Sequence, residues 1–180
     1  YFRAKYPPSS WQLPPTPAQV AVGPTLFSKE IVNQLLVKPP ANPDAEVVAT
    51  NDVVTVTAGA GQLNFAILQQ QSPEVQAVIV QGLASSDNLM VKAMDEATGL
   101  DLYRGRTNYA KLAQEQRIRY FVESTLAAGP DGRNPYRAYL RFIDTRSSLV
   151  LAAVSAEGPD VASAARAATA ALVSRIERKP

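Results

Sequence analysis

Nine of the chain's 14 prolines stand within its first 43 residues, at Pro7, Pro8, Pro14, Pro15, Pro17, Pro24, Pro39, Pro40 and Pro43. Each one fixes φ and removes a backbone donor, so neither a regular helix nor a central strand is expected to run through such a density. Residues 1 to about 24 therefore read as an extended, polyproline-like arm, stiffer than a glycine-serine linker. That arm carries Tyr1, Phe2, Tyr6 and Trp11, the last being the one tryptophan of the chain. Tyr6 and Trp11 are the aromatic anchors with which such an arm would lie along a partner. Between prolines, Phe27, Ile31, Val32, Leu35 and Leu36 recur at helical spacing and predict a short helix at about 26–37. The division that follows is an arm over residues 1–45 and a single α/β domain over residues 46–180.

Past residue 52 the periodicity alternates between two and 3.6. VVTVT (53–57) and QLNFAIL (62–68) are β-rich runs joined by a glycine-bearing turn. Ser72 before Pro73 predicts a helix start, with Val75, Val78, Ile79 and Leu83 as its buried stripe. NLMVKAM (88–94) reads as a strand and residues 96–106 as a loop. Thr107 is placed to cap a helix on which Tyr109, Leu112, Ala113 and Gln116 share a face. RYFVESTL (119–126), YRAYLRFID (136–144) and LVLAAVS (149–155) are strands, the last two joined by a tight TRSS turn. Asp160 opens an alanine-rich helix to about Arg178, with Val161, Ala165, Ala168, Leu172 and Ile176 along one stripe. The expected fold class is α/β, in the α+β sense: a small mixed sheet of about four to five strands, with helices packed on it, behind the proline-rich arm.

The chemistry open to this chain is narrow because its 180 residues include no Cys and no His. Disulfides, thiolate nucleophiles, Cys/His zinc sites and histidine acid-base catalysis are all outside its means. No GxGxxG or GxxxxGK[ST] loop cradles a phosphate, and no DxDxDG loop offers a calcium site. No catalytic residue, cofactor or metal is therefore assigned, and the chain is not expected to be an enzyme.

Basic charge is the organised feature. Residues 104–146 carry nine Lys or Arg against four Asp or Glu, a local +5 in a chain whose net charge is +2. In the run 136–144 the strand period places Arg137, Tyr139 and Arg141 on one face and Ala138, Leu140 and Phe142 on the other. One side is core. The other presents guanidinium, phenol and guanidinium in a row, a surface for the acids of a partner protein. An anionic-polymer or nucleic-acid platform is the alternative use of the same row. The small overall charge argues against nucleic acid.

The distal half also has a recognisable order of elements. Leu83 to Met94, Glu115-Gln116, Tyr120 to Leu126, and Leu140-Arg141-Phe142-Ile143-Asp144-Thr145 resemble, in content and sequence, an envelope lipoprotein group. That group includes the curli secretion channel protein, the penicillin-binding-protein activator lipoproteins and the amino-terminal domain of TolB. The alanine-rich ending is also similar to the auxiliary lipoproteins of lipid-transport ABC systems. The resemblance spans about residues 73–178. It implies a non-catalytic periplasmic accessory or assembly subunit of a secretion, transport or pilus machine. Its partners would be other envelope subunits, or copies of itself in a ring or other homo-oligomer. It would be associated with the outer membrane through an N-terminal lipid anchor that lies outside these residues. The contacts are expected from Tyr6, Trp11, Arg137, Tyr139 and Arg141.

Overall fold

The computed structural model describes residues 13–14, 16–36, 53–58, 63–68 and 71–177. Its strands are β1 (Ala18–Val22), β2 (Leu26–Ser28), β3 (Val53–Ala58), β4 (Leu63–Leu68), β5 (Leu89–Ala93), β6 (Tyr120–Ala128), β7 (Tyr136–Asp144) and β8 (Val150–Gly158). The helices are α1 (Lys29–Leu36), α2 (Gln71–Leu83), α3 (Glu96–Tyr103), α4 (Tyr109–Gln116) and α5 (Val161–Ile176).

Strand β6 is the hub of one mixed sheet. Along one edge it pairs antiparallel with all of β7, from Tyr120↔Asp144 to Ala128↔Tyr136. Along the other it takes β1 and then β2, both parallel, through Val22↔Val122 and Leu26↔Thr125. Four residues of advance on the β1–β2 segment match three on β6, so the segment is a single strand with a bulge at Gly23-Pro24-Thr25. That break forks the sheet. Beyond β1 lies β5, parallel, whereas beyond β2 lies the antiparallel hairpin of β4 and β3. On the far side β8 pairs antiparallel with β7, giving the row β8-β7-β6-β1-β5.

The break is held by side chains. Thr25 N–H donates to Ser72 Oγ at 2.7 Å, and the Thr25 and Ser124 hydroxyls lie 2.8 Å apart. Gln76 Nε2 donates to the carbonyls of Val22 and Met94, and Tyr103 Oη to that of Pro24. Backbone groups freed by the bulge are thereby satisfied. Helix α3 crosses so closely that a Cβ on Gly99 would stand 2.2 Å from Pro24 Cδ.

Three helices, α1, α2 and α5, cover one sheet face. Ile31, Val75, Ile79, Leu83, Ala165, Ala168 and Leu172 meet Val20, Val22, Tyr120, Val122, Leu140 and Phe142 there. Alanines along α5 give little volume but allow close approach to β7 and β8. On the opposite face α3 and α4 cover the part centred on Phe121, with Ala21, Met94, Leu112, Ile118 and Ile143, and Leu100 and Tyr103 of α3 also cover Leu26 and Ile67.

The mixed α/β class is as expected, and so are the β3–β4 and β7–β8 hairpins, β5, β6 and α5. The differences have local causes. Among the described residues the sheet has eight strands, not four to five: residues 18–28 supply two of them, β1 and β2, instead of belonging to an arm, and all six strands between residues 53 and 158 join the same sheet. Val20, Ala21 and Val22 are wholly buried at its centre, so the folded unit begins well before residue 46. Phe27 lies in β2, and the short helix begins only at Lys29. Residues 96–103, expected as loop, form α3, capped by Asp95. Ser72 is not a cap but a buried residue of α2 bonded to the break, and α4 is capped by Asn108 in place of Thr107.

Both Asp95 and Asp160 cap helix N-termini and have carboxyls held below the ordinary value. For Asp95 the main cause is the Thr98 hydroxyl; for Asp160 it is the Ser163 N–H. A carboxyl lowered by folding stabilises the fold above its unfolded value and loses that contribution as pH falls through the folded one. The urea midpoint is therefore expected to fall from about pH 6 to about pH 2, and to fall less in Asp160→Asn, which keeps a capping oxygen without its titration. Identical pH profiles for the two proteins would refute the assignment.

Candidate functional site

Where α3 and α4 end, the second sheet face is open across β6, β7 and β8. The pleat brings Glu123 and Thr125 of β6, Arg137, Tyr139 and Arg141 of β7, and Ser155 and Glu157 of β8 to that face. Register then decides the pairs. Glu123 lies directly opposite Arg141, Thr125 opposite Tyr139, and Arg137 opposite Glu157. Opposite charges in such positions attract across the ladder. Arg137 Nη2 stands 2.5 Å from Glu157 Oε1. The Arg141 fork reaches Glu123 through Nε to Oε1 at 3.2 Å and Nη2 to Oε2 at 3.3 Å.

The three residues expected to line one strand face do so, opposite the buried Ala138, Leu140 and Phe142. Tyr139 is 40% exposed, a large apolar ring on open surface. Its hydroxyl accepts a long 3.5 Å bond from Arg137 Nη1. That bond, with Glu157 second, raises the Arg137 pKa and so keeps its charge. The arginines do not stand alone, however. Each is matched by a glutamate of a neighbouring strand, so the row carries no net charge. Tyr6 and Trp11 lie outside the described residues.

Beside this row is a cleft of about 610 Å³, between the α3–α4 corner and β6–β7. Tyr103 and Tyr109 form one wall, braced on Phe121 at ring-centroid distances of 6.4 and 5.5 Å. Tyr139, Arg141 and Glu123 form the other. Burial, with the Glu123 carboxylate second, pushes the Tyr109 hydroxyl up to about 12 and raises that of Tyr103 well above its ordinary value. Both remain protonated donors at any ordinary pH.

Sequence reasoning missed Glu123, Glu157, Tyr103 and Tyr109. The strand period could have placed Glu123 in phase with Phe121 and away from Val122, but only the β6–β7 register names its partner. Among the described residues no group of three or more Asp or Glu could hold a metal ion, and no helix is long and apolar enough to cross a membrane.

No family model and no curated protein matches the chain. Several solved structures are similar to it. The PelC dodecamer from Paraburkholderia phytofirmans aligns at 13% identity over 94% of this chain and 95% of that one, with a TM-score of 0.49. TolB from Acinetobacter baumannii aligns at 10% over 91% of this chain and 29% of that one, TM-score 0.45. Lipoprotein GNA1162 from Neisseria meningitidis aligns at 16% over 78% and 79%, TM-score 0.36. At these values no residue role is carried over from any of them.

Proposed function

We propose that the chain is a non-catalytic accessory subunit of a cell-envelope machine and that it works through protein contacts, first with copies of itself. The observation that carries this reading is the condition of the sheet's outer edges. Among the described residues β8 and β5 each pair on one side only. β8 is nine residues long, VLAAVSAEG, with no Lys, Arg or Pro to blunt it and with Val150 41% exposed. A long apolar edge of this kind is a template for another strand. The β5 edge shows Met90, 52% exposed, and Lys92.

These two edges suit one another. β5 and β8 both run parallel to β6 and bound opposite ends of the row. A second copy continuing the sheet would set β5 beside β8 as a parallel pair, with Lys92 and Met90 on the same face as Glu157 and Ser155. Such a head-to-tail contact repeats and closes into a ring when its rotation allows. The envelope setting, with an outer-membrane anchor preceding the chain, rests on the sequence resemblance over residues 73–178. An anionic-polymer role for the arginine row is weakened by its internal neutralisation by Glu123 and Glu157.

Sedimentation velocity tests the contact. The full chain is expected to sediment as a multimer across micromolar concentrations. Ser155→Lys, which sets a like charge on the sheet face that Lys92 of the next copy shares, is expected to leave a folded monomer. A wild-type chain that stays monomeric throughout sinks the proposal.

A further inference from the structure

The cleft beside the arginine row is a second feature, and it needs no other copy of the chain. It combines fixed aromatic surface with a polar pair of zero net charge. Arg141 occupies two of the roughly four acceptor positions of the Glu123 carboxylate, leaving the others open to hydroxyl donors. The same guanidinium keeps N–H groups beyond those two bonds, and Tyr109 adds a protonated hydroxyl. Donors and acceptors therefore alternate along one rim, while the Tyr139 and Tyr109 rings offer flat apolar faces. A cleft of about 610 Å³ lies within the ordinary range for a ligand of several rings.

We propose that this cleft binds a neutral, hydroxyl-rich ring ligand, a sugar unit of an uncharged glycan, stacked on Tyr139 and bonded to the Glu123–Arg141 pair. A sugar ring has C–H faces for the tyrosines, and each of its hydroxyls both donates and accepts, which matches a carboxylate beside a guanidinium. Charge argues against the other classes. An anion drawn to Arg141 meets Glu123 at the same spot, and a cation drawn to Glu123 meets Arg141.

The test uses the full chain with maltotetraose and chitotetraose as neutral probes and tetragalacturonate as the anionic one, followed by calorimetry and amide NMR. A neutral probe is expected to bind saturably and to shift amides of residues 103–109, 123–125 and 139–141. Tyr139→Ala is expected to weaken it about tenfold with an unchanged melting temperature, since that ring is exposed. Glu123→Gln is expected to weaken the neutral probe and strengthen tetragalacturonate, because Arg141 is then uncovered, an inversion that a merely structural residue does not produce. No saturable neutral binding, shifts confined to other surfaces, or tighter galacturonate binding by the unaltered chain would each overturn the proposal.

Discussion

Phe142→Ala is expected to cost about 3–5 kcal/mol of folding stability, a large part of the roughly 5–15 kcal/mol typical of a domain. Phe142 is wholly buried in β7, its ring 4.8 Å from that of Tyr120, within the cluster that joins the sheet to α1, α2 and α5. Truncation removes transfer free energy and leaves a cavity that a close-packed interior refills only in part. Tyr139, three residues earlier on the same strand, projects from the opposite face. Tyr139→Ala is expected to change stability by about 0.5 kcal/mol or less. Urea unfolding of the two variants measures the contrast directly. A cost below about 1 kcal/mol for Phe142→Ala would contradict the assignment of this face as core.

That contrast was legible in the sequence because β7 alternates cleanly and no distant element has to be known to see it. The same holds for β6, β8 and α5, whose periods and turn residues are local. Strand β1 was not legible. AQVAV is short, has no polar alternation because its centre is buried on both faces, and stands between Pro17 and Pro24. Its place depends on pairing with residues 89–93 and 120–122, contacts that no local pattern encodes. Prolines flanking a five-residue strand are compatible with it, which the density argument did not allow for. Helix α3 was hidden for a different reason. Thr98 and Gly99 read as loop residues, yet Thr98 bonds the capping Asp95 and Gly99 admits Pro24.

The candidate site divides along the same line. Arg137, Tyr139 and Arg141 follow from a period of two. Their glutamate partners follow from register, which is set by the 129–135 connection and by core pairs such as Val122↔Phe142. Register changes the chemistry of the row from a cationic platform to a neutral surface, and that is why the polymer reading yields to contacts between subunits and to an uncharged ligand.

Those subunit contacts can be tested through an absence, because the chain has no cysteine of its own. Met90→Cys and Ser155→Cys together place one thiol on each outer edge of the row. Within a chain the two lie four strand spacings of about 4.8 Å apart across the sheet, about 19 Å, and further apart along it, beyond any disulfide. Across a β5–β8 contact that sets Met90 of one copy beside Ser155 of the next they fall within bonding range, and Ala153→Cys in place of Ser155→Cys covers a register one pair removed. Under mild oxidation the account predicts a reducible ladder of covalent multimers from one of these double variants and no species beyond dimer from any single variant. Double variants that stop at dimer, while the chain remains folded, would contradict it.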